Sequence, residues 1–527
     1  MCRCTTTAPR SRSSAGCLSA WSRCATFTLS REISADRYWS AHAPGRVSCC
    51  PCAGPRGPSP AGARPLTLPS TCDPSCSVSG PRRSRSGAAR HPLLHAGRQG
   101  QSLDSRVMAE IAAPRGTKDI LPAESTAWRW VLETHRRVAE SFGYRPIETP
   151  IFESTELFAR AVGADTDIVE KQMFTFEDRG GRSLSMRPES TAGVTRAVVG
   201  ARLDQEIRPV RVHYAGPMFR AERPQAGRQH QFTQLGIECI GERSPALDVE
   251  IVECAWRFFG ELRLTGLHLQ VNSLGDADDR GHYRAALVAY YTPFRSRLCD
   301  DCKRRLESNP LRLLDCKKDA DLVEAAPMIQ ESLSAHSTRF FDDVQAGLTA
   351  ARIPAEVNPR LVRGLDYYAD TVFEVWHEHL QGAQNALGGG GRYDGLAELL
   401  GLPATPGTGY ALGVERILIV ARQLGLAPAP EASSDVLVCS VEPAQIDGAA
   451  AAARGLRASG ARVVLDVSDR RLDRKLRAAD RLGARAAVIV GEQEVAAESA
   501  VVRDLVARSQ QTVPNAELGE AVERILR

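Results

Sequence analysis

From Met108 onward the apolar positions change period in a regular order. In STAWRWVLETHRRVAESFG (125–143) they recur every three to four residues and stop at Gly143, which predicts an amphipathic helix closed by a glycine. YRPIETPIF (144–152) reads as an extended piece, and its Pro146 and Pro150 point to an edge or interface strand. RSLSMRPES (182–190), VRVHYAGPMFRAE (210–222), HQFTQLGIECIG (230–241) and LHLQVNSLG (267–275) read as short strands, the middle two flanking a loop. Short strands with tight turns favour an antiparallel sheet. Residues 277–357 are helical and charged, an insertion, because strand-rich sequence resumes at 361 and TVFEV (371–375) suits a half-buried strand. Residues 108–276 and 358–425 thus form one domain, followed by a Pro/Ala-rich linker, LAPAPEASS (426–434). In 435–527 the apolar strands DVLVCSV, ARVVLDV and RAAVIVG alternate with helices at 443–459 and 469–483. That βαβαβ pattern predicts a small parallel or mixed sheet. The fold class is α+β: an antiparallel sheet flanked by helices, a helical insertion, and a C-terminal α/β domain.

Charge divides the chain further. Residues 1–107 hold 15 Arg, no Lys and 4 acidic residues, a net +11; the whole chain is +4, so the remaining 420 residues carry −7. A polyanion would therefore need a local basic face on the body. One exists in 454–485, with ten basic residues against four acidic, where Arg470, Arg474, Arg477 and Arg481 fall at three- and four-residue spacings. Such a run is either a solvated helix face or an RNA contact. Residues 1–107, rich in Arg, Ser, Pro, Gly and Cys without sustained periodicity, are expected to be disordered. An overextended start is favoured over a transit peptide or a cysteine module, because no repeated CxxC pairing supports the last. The other six cysteines are sparse, which suits a reducing cytosol. No apolar run approaches the ~18–20 residues of a membrane span.

Four segments carry more chemistry than folding requires. In FRAERPQAGRQHQFTQLGIE (219–238), Arg220 and Glu222 end a strand, and a loop follows with Arg223, Arg228 and His230. Gln234 and Glu238 then share one face of the returning strand. The planar fork of Arg220 suits a phosphate, and the loop cations suit a polyanion; a charged surface hairpin is the plain alternative. SMRPEST (185–191) adds Arg187, Glu189 and Thr191. LVRGLDYYADTVFEV (361–375) sets Arg363, Asp366, Tyr367 and Tyr368 around Gly364 at a strand entry. In ALGGGGRYDGL (386–396), four successive glycines admit a ligand or another backbone, or make a tight sheet turn, and P-loop spacing is absent. GYALGVERIL (409–418) reads as putting Gly413 and Arg416 on one helical face. These segments hold no Ser-His-Asp arrangement and no metal-ligand spacing. Arginines for phosphates, carboxylates for an amine and small residues for a flat ring fit a nucleotide plus a zwitterion.

In this order, from Met108 to the C-terminus, the segments resemble the class II aminoacyl-tRNA synthetases and, within them, the histidyl-tRNA synthetase family. RGTKDILP (115–122) is similar to its N-terminal signature, FGYRPIETPIFE (142–153) to the dimer-interface motif 1, FRAERPQAGRQHQF (219–232) to motif 2 and GYALGVERIL to motif 3. LVRGLDYY and GGGGRYDGL resemble the two histidine-specific signatures. The resemblance implies ATP with Mg2+ and L-histidine as substrates, tRNA(His) as partner, a cytoplasmic homodimer, no organic cofactor and an anticodon-binding C-terminal domain. It implies Arg363 and Arg220 as catalytic, with Glu189, Thr191 and Gln234 on the α-amino group and Tyr367, Tyr368, Glu238 and Arg363 also facing histidine. Arg220, Glu222, Arg228 and Arg416 would hold ATP, and Arg223, Arg228 and the 470–481 arginines would face tRNA. A regulator that has lost the chemistry, or a synthetase for another small amino acid, is the rival reading; the retained arginines and RGLDYY argue against each. Cys299, Cys302 and Cys316 lack a clear fourth ligand, so structural zinc is not expected.

Overall fold

The computed structural model describes residues 111–163, 166, 168–223, 227–380 and 386–527. The disorder expected for 1–107 lies outside the described residues, as do the nine cysteines there. The strands run β1 (Arg145–Pro146), β2 (Phe152–Ser154), β3 (Thr175–Glu177), β4 (Ser183–Met186), β5 (Val210–Phe219), β6 (Gln231–Ile240), β7 (Leu267–Ser273), β8 (Ala355–Val357), β9 (Ala369–His377), β10 (Ala386–Arg392) and β11 (Gly407–Gly413). Among the described residues, eight of these form one sheet in the order β1-β5-β6-β11-β10-β9-β7-β8. The six inner strands pair antiparallel, as expected, but both edges are parallel, β1 on β5 and β8 on β7. Pro146 sits in the edge strand β1, where its missing N–H costs no ladder bond. The two central strands lie within the segments read from the sequence and end a little short of them: β5 and β6 pair from Val210↔Ile240 to Phe219↔Gln231. β2, β4 and β3 make a separate small sheet.

Helices Pro122–Ser141, Pro245–Glu261 and Val414–Gln423 cover one face of the large sheet. The second starts cleanly because Ser244 accepts the Ala246 N–H and Pro245 needs no donor. Its Phe258 and Phe259 are fully buried, each contributing about 1.5–3 kcal/mol. The stretch 277–357 proves to be two things. Helices Ala277–Tyr291 and Asp300–Ser308 and the 3-10 turn Pro310–Asp315 pack in a second core with Tyr367 and Tyr368. Helix Ala335–Ala350 instead sends Phe340, Phe341, Val344 and Leu348 into the main core, and β8 extends the main sheet. The helical character of this stretch is legible in the sequence; which core it meets is not.

In the C-terminal part, β12 (Val436–Ser440), β13 (Val463–Asp466) and β14 (Ala486–Val490) are parallel in the order β13-β12-β14, with helices Ile446–Ala458 and Leu472–Leu482 between them. A hairpin, β15 (Ser499–Asp504) and β16 (Ser509–Pro514), makes the sheet mixed. Among the described residues no helix is long and apolar enough to cross a membrane.

Candidate active site

One cavity collects side chains from five separated segments. Glu189 and Thr191 come from the turn after β4 and the helix start that follows it, and Arg220, Glu222, Arg228 and Gln234 from the β5–β6 hairpin. Arg363, Tyr367 and Tyr368 come from the turn before β9, Gly388 and Gly389 from β10, and Arg416 from the first turn after β11. Each arginine is anchored. Arg220 Nε donates to the Pro188 carbonyl at 2.9 Å, and its guanidinium lies 5.2 Å from the Phe232 ring centroid. Arg416 donates to the carbonyls of Ala386 (2.6 Å) and Gly227 (3.3 Å). Arg363 pairs with Glu374 and lies 5.8 Å from the Tyr368 ring. Burial pulls the pKa of Arg220 and Arg416 down. For Arg363 burial is outweighed by Glu374 and the two phenols, so its charge is reinforced. Three desolvated cations at one cavity favour a polyanionic ligand.

The other wall is built for an amine. Glu189 is buried and accepts the backbone N–H groups of Thr191 (2.5 Å) and Ala192 (3.1 Å), closing the N-terminus of helix Thr191–Gly200. The Gln234 side-chain oxygen is buried with no hydrogen-bond partner among the described residues, an acceptor in want of a donor. Glu222 is shared, 2.6 Å from Arg228 and 3.9 Å from Arg220.

Several sequence expectations are corrected here. Glu238 does not line the cavity; it lies behind it, accepting the hydroxyls of Thr191 (2.8 Å), Tyr214 (3.3 Å) and Tyr393 (2.5 Å). Gly409 makes room for it, since a Cβ there would stand 2.0 Å from a Glu238 oxygen. The four glycines are not a sheet turn but the central strand β10. A Cβ on Gly389 would lie 2.3 Å from the Phe373 carbonyl and 3.1 Å from Arg363 Nη1. Gly413 is extended (φ −94°, ψ 117°) and ends β11, so it shares the cavity with Arg416 but not a helical face. Arg223, expected to face tRNA rather than to line the cavity, is exposed and outside it. His230 braces the hairpin, exchanging backbone contacts with Gly116 (2.6 Å) and Arg220 (2.8 Å). Glu374 and Glu415 line the cavity and were not singled out from the sequence. Glu374 interrupts an apolar strand, a signal that could have exposed it; Glu415 adjoins Arg416.

Burial pushes the Glu238 carboxyl from an ordinary 4.5 up to about 8. A carboxyl raised by folding favours the fold below its unfolded value, and that advantage is lost as pH rises through the folded value. The urea midpoint of the wild type is therefore expected to fall further than that of Glu238→Gln between about pH 6 and about pH 9. Equal falls would show that Glu238 does not titrate in this window.

On helix Leu472–Leu482, Lys475 and Ala479 face inward while Arg474, Arg477 and Arg481 are exposed, with Arg470 just before. Arg470 pairs with Asp466 (3.1 Å) and Arg477 with Asp473 (2.6 Å). Among the described residues no ion pair engages Arg474 or Arg481, so the ridge is half neutralised.

The family model described as Histidyl-tRNA synthetase matches residues 116–276 and 304–417, and that of an anticodon binding domain matches 435–525. The histidine–tRNA ligase of Geobacillus kaustophilus is 45% identical over 417 residues, covering 78% of this chain and 98% of the relative. That of Halalkalibacterium halodurans is 46% identical over 399 residues, covering 75% and 93%. The crystal structure of apo S. aureus histidyl-tRNA synthetase superposes with a TM-score of 0.67 at 34% identity, covering 79% of this chain and all of that one.

Proposed function

Because the chain belongs to the histidyl-tRNA synthetase family, and is thereby an aminoacyl-tRNA synthetase joining histidine to tRNA, we propose that L-histidine and ATP meet in this one cavity. There the histidine carboxylate attacks the α-phosphorus, the bond to pyrophosphate breaks, and the histidyl-adenylate passes its acyl group to the 3' end of tRNA(His). The observation that carries this reading is the convergence of Arg220, Arg363 and Arg416 from three distant segments on one cavity beside an amine-accepting wall.

Arg363 and Arg220 stabilise charge that builds on the α-phosphoryl group, and Arg416 holds the γ-phosphate. Glu222 and Arg228 hold the nucleotide. Glu189, Thr191 and the unpartnered oxygen of Gln234 receive the α-ammonium. Tyr367 and Tyr368 read the imidazole, and Glu238 behind them holds the Thr191 hydroxyl at 2.8 Å. Hydrogen bonding both ring nitrogens rejects apolar isosteres. Mg2+ enters with ATP: Glu222, Glu374 and Glu415 offer the carboxylate oxygens it takes, and it would offset triphosphate charge when bound. Pyrophosphate exchange that requires histidine and no other amino acid tests the reading. A folded sample without exchange would overturn it.

The basic ridge faces the tRNA backbone. Arg474→Glu with Arg481→Glu is expected to raise KM for tRNA and to flatten its salt dependence by about two contacts. Pyrophosphate exchange should be unchanged, since both residues lie outside the cavity. The chain works as a cytoplasmic homodimer through the motif 1 region, where Ile151, Phe152 and Phe176 are exposed and the two phenylalanine rings meet edge to face at 6.3 Å. Sedimentation of the full chain checks this, with Phe152→Glu expected to yield monomers.

A further inference from the structure

The three thiols that look one ligand short in the sequence acquire a fourth partner in space. Cys299 caps helix Asp300–Ser308 and Cys302 lies in its first turn, while Cys316 and Asp319 follow the 3-10 turn Pro310–Asp315. One ligand atom from each of the four lies within 4.8 Å of every other. We propose that Cys299, Cys302, Cys316 and Asp319 form a tetrahedral zinc site.

The geometry is that of a metal shell. Zinc–sulfur bonds of about 2.3 Å at tetrahedral angles put two sulfurs about 3.8 Å apart, and a sulfur and a carboxylate oxygen about 3.5 Å apart. Cys299 Sγ and Cys316 Sγ are 3.8 Å apart, and Cys316 Sγ is 3.6 Å from Asp319 Oδ2. A disulfide would need about 2.05 Å. Cys302 and Asp319 are buried and the other two half-buried, so the site is closed as a structural zinc site is. Binding displaces three thiol protons to solvent and involves no redox change. Asp319 also accepts the Cys299 backbone N–H at 3.1 Å, an outer contact that fixes the carboxylate.

The clip reaches the active site through its own loop. Within the loop it closes, Asn309 donates to Asp366 at 2.8 Å and Arg312 to the Arg363 carbonyl at 3.5 Å. The metal would thus stiffen the segment against which the Arg363 turn rests.

The test is metal analysis of the full chain, purified under reducing conditions, incubated with zinc and freed of excess by gel filtration. Because nine more cysteines lie in 1–107, the assignment rests on the difference between wild type and two variants, Cys316→Ser and Cys302→Ser. Each variant is expected to carry about one zinc fewer per chain. The cobalt-loaded wild type is expected to add thiolate-to-cobalt charge transfer and tetrahedral d–d absorption that both variants lack. Wild type and Cys316→Ser holding equal zinc would overturn the site, and so would a folded wild type at background zinc or one isolated with a Cys299–Cys316 disulfide.

Discussion

Replacing Arg363 with alanine is expected to lower histidine-dependent pyrophosphate exchange by about 10²–10³-fold, the effect of removing one preorganised donor worth about 3–4 kcal/mol. Histidine binding should survive, because Glu189, Thr191 and Gln234 on the amine wall are untouched. The loss has two sources. The positive charge facing the α-phosphoryl group disappears, and Glu374, which Arg363 pairs with, becomes an uncompensated carboxylate on the wall of a triphosphate site. Arg363→Ala with Glu374→Gln should therefore recover part of the loss, as the repulsion goes but the cation does not return. Arg363→Lys should recover little: an ammonium cannot span carboxylate and phosphate as a planar fork does. Exchange rates for the four proteins, with calorimetric titration of histidine into each, measure both effects. Near-normal exchange by Arg363→Ala would remove this residue from the chemistry.

The parts of the site legible in the sequence were those whose chemistry stands out against a strand or loop. Arg220, Arg363, Arg416, Glu189 and Gln234 are polar groups in or near the strands, and the structure brings them to one cavity. Less legible were groups whose meaning depends on depth or on a partner far along the chain. Glu238 shares a strand face with Gln234, but four residues along β6 carry it behind the cavity, where three hydroxyls surround it. Asp319 is one carboxylate among many in a charged stretch until folding sets it against three thiols. The same limit applies to the fold. Residues 277–357 read as one helical insertion, whereas the burial of Phe340, Phe341, Val344 and Leu348 in the main core depends on the neighbouring helix Pro245–Glu261. Periodicity reports that a face is covered; only long-range pairing says by what.

Arg392 shows the opposite case, a cation inside a histidine-like signature that works in the core. Arg392→Ala is expected to destabilise the fold by about 3–5 kcal/mol, a large share of the 5–15 kcal/mol typical of a domain. The side chain is fully buried and grips Asp248, itself 1% exposed, with two hydrogen bonds of 2.6 and 3.2 Å. It also donates to Asp394 (2.9 Å) and to the Ser244 carbonyl (3.2 Å). This ties β10 to the start of helix Pro245–Glu261. Removing the guanidinium strands Asp248 in surroundings whose burial already raises its carboxyl pKa. Asp394 keeps a partner in Arg243 at 3.1 Å, so the injury centres on Asp248. The double variant Arg392→Met with Asp248→Leu should accordingly be more stable than Arg392→Ala, because replacing both charges leaves none unpaired. Exchange per folded molecule should largely persist in Arg392→Ala, since the residue does not line the cavity. Urea unfolding of wild type, single and double variants decides between a core and a site role. An unchanged midpoint with lost exchange would return Arg392 to the substrate.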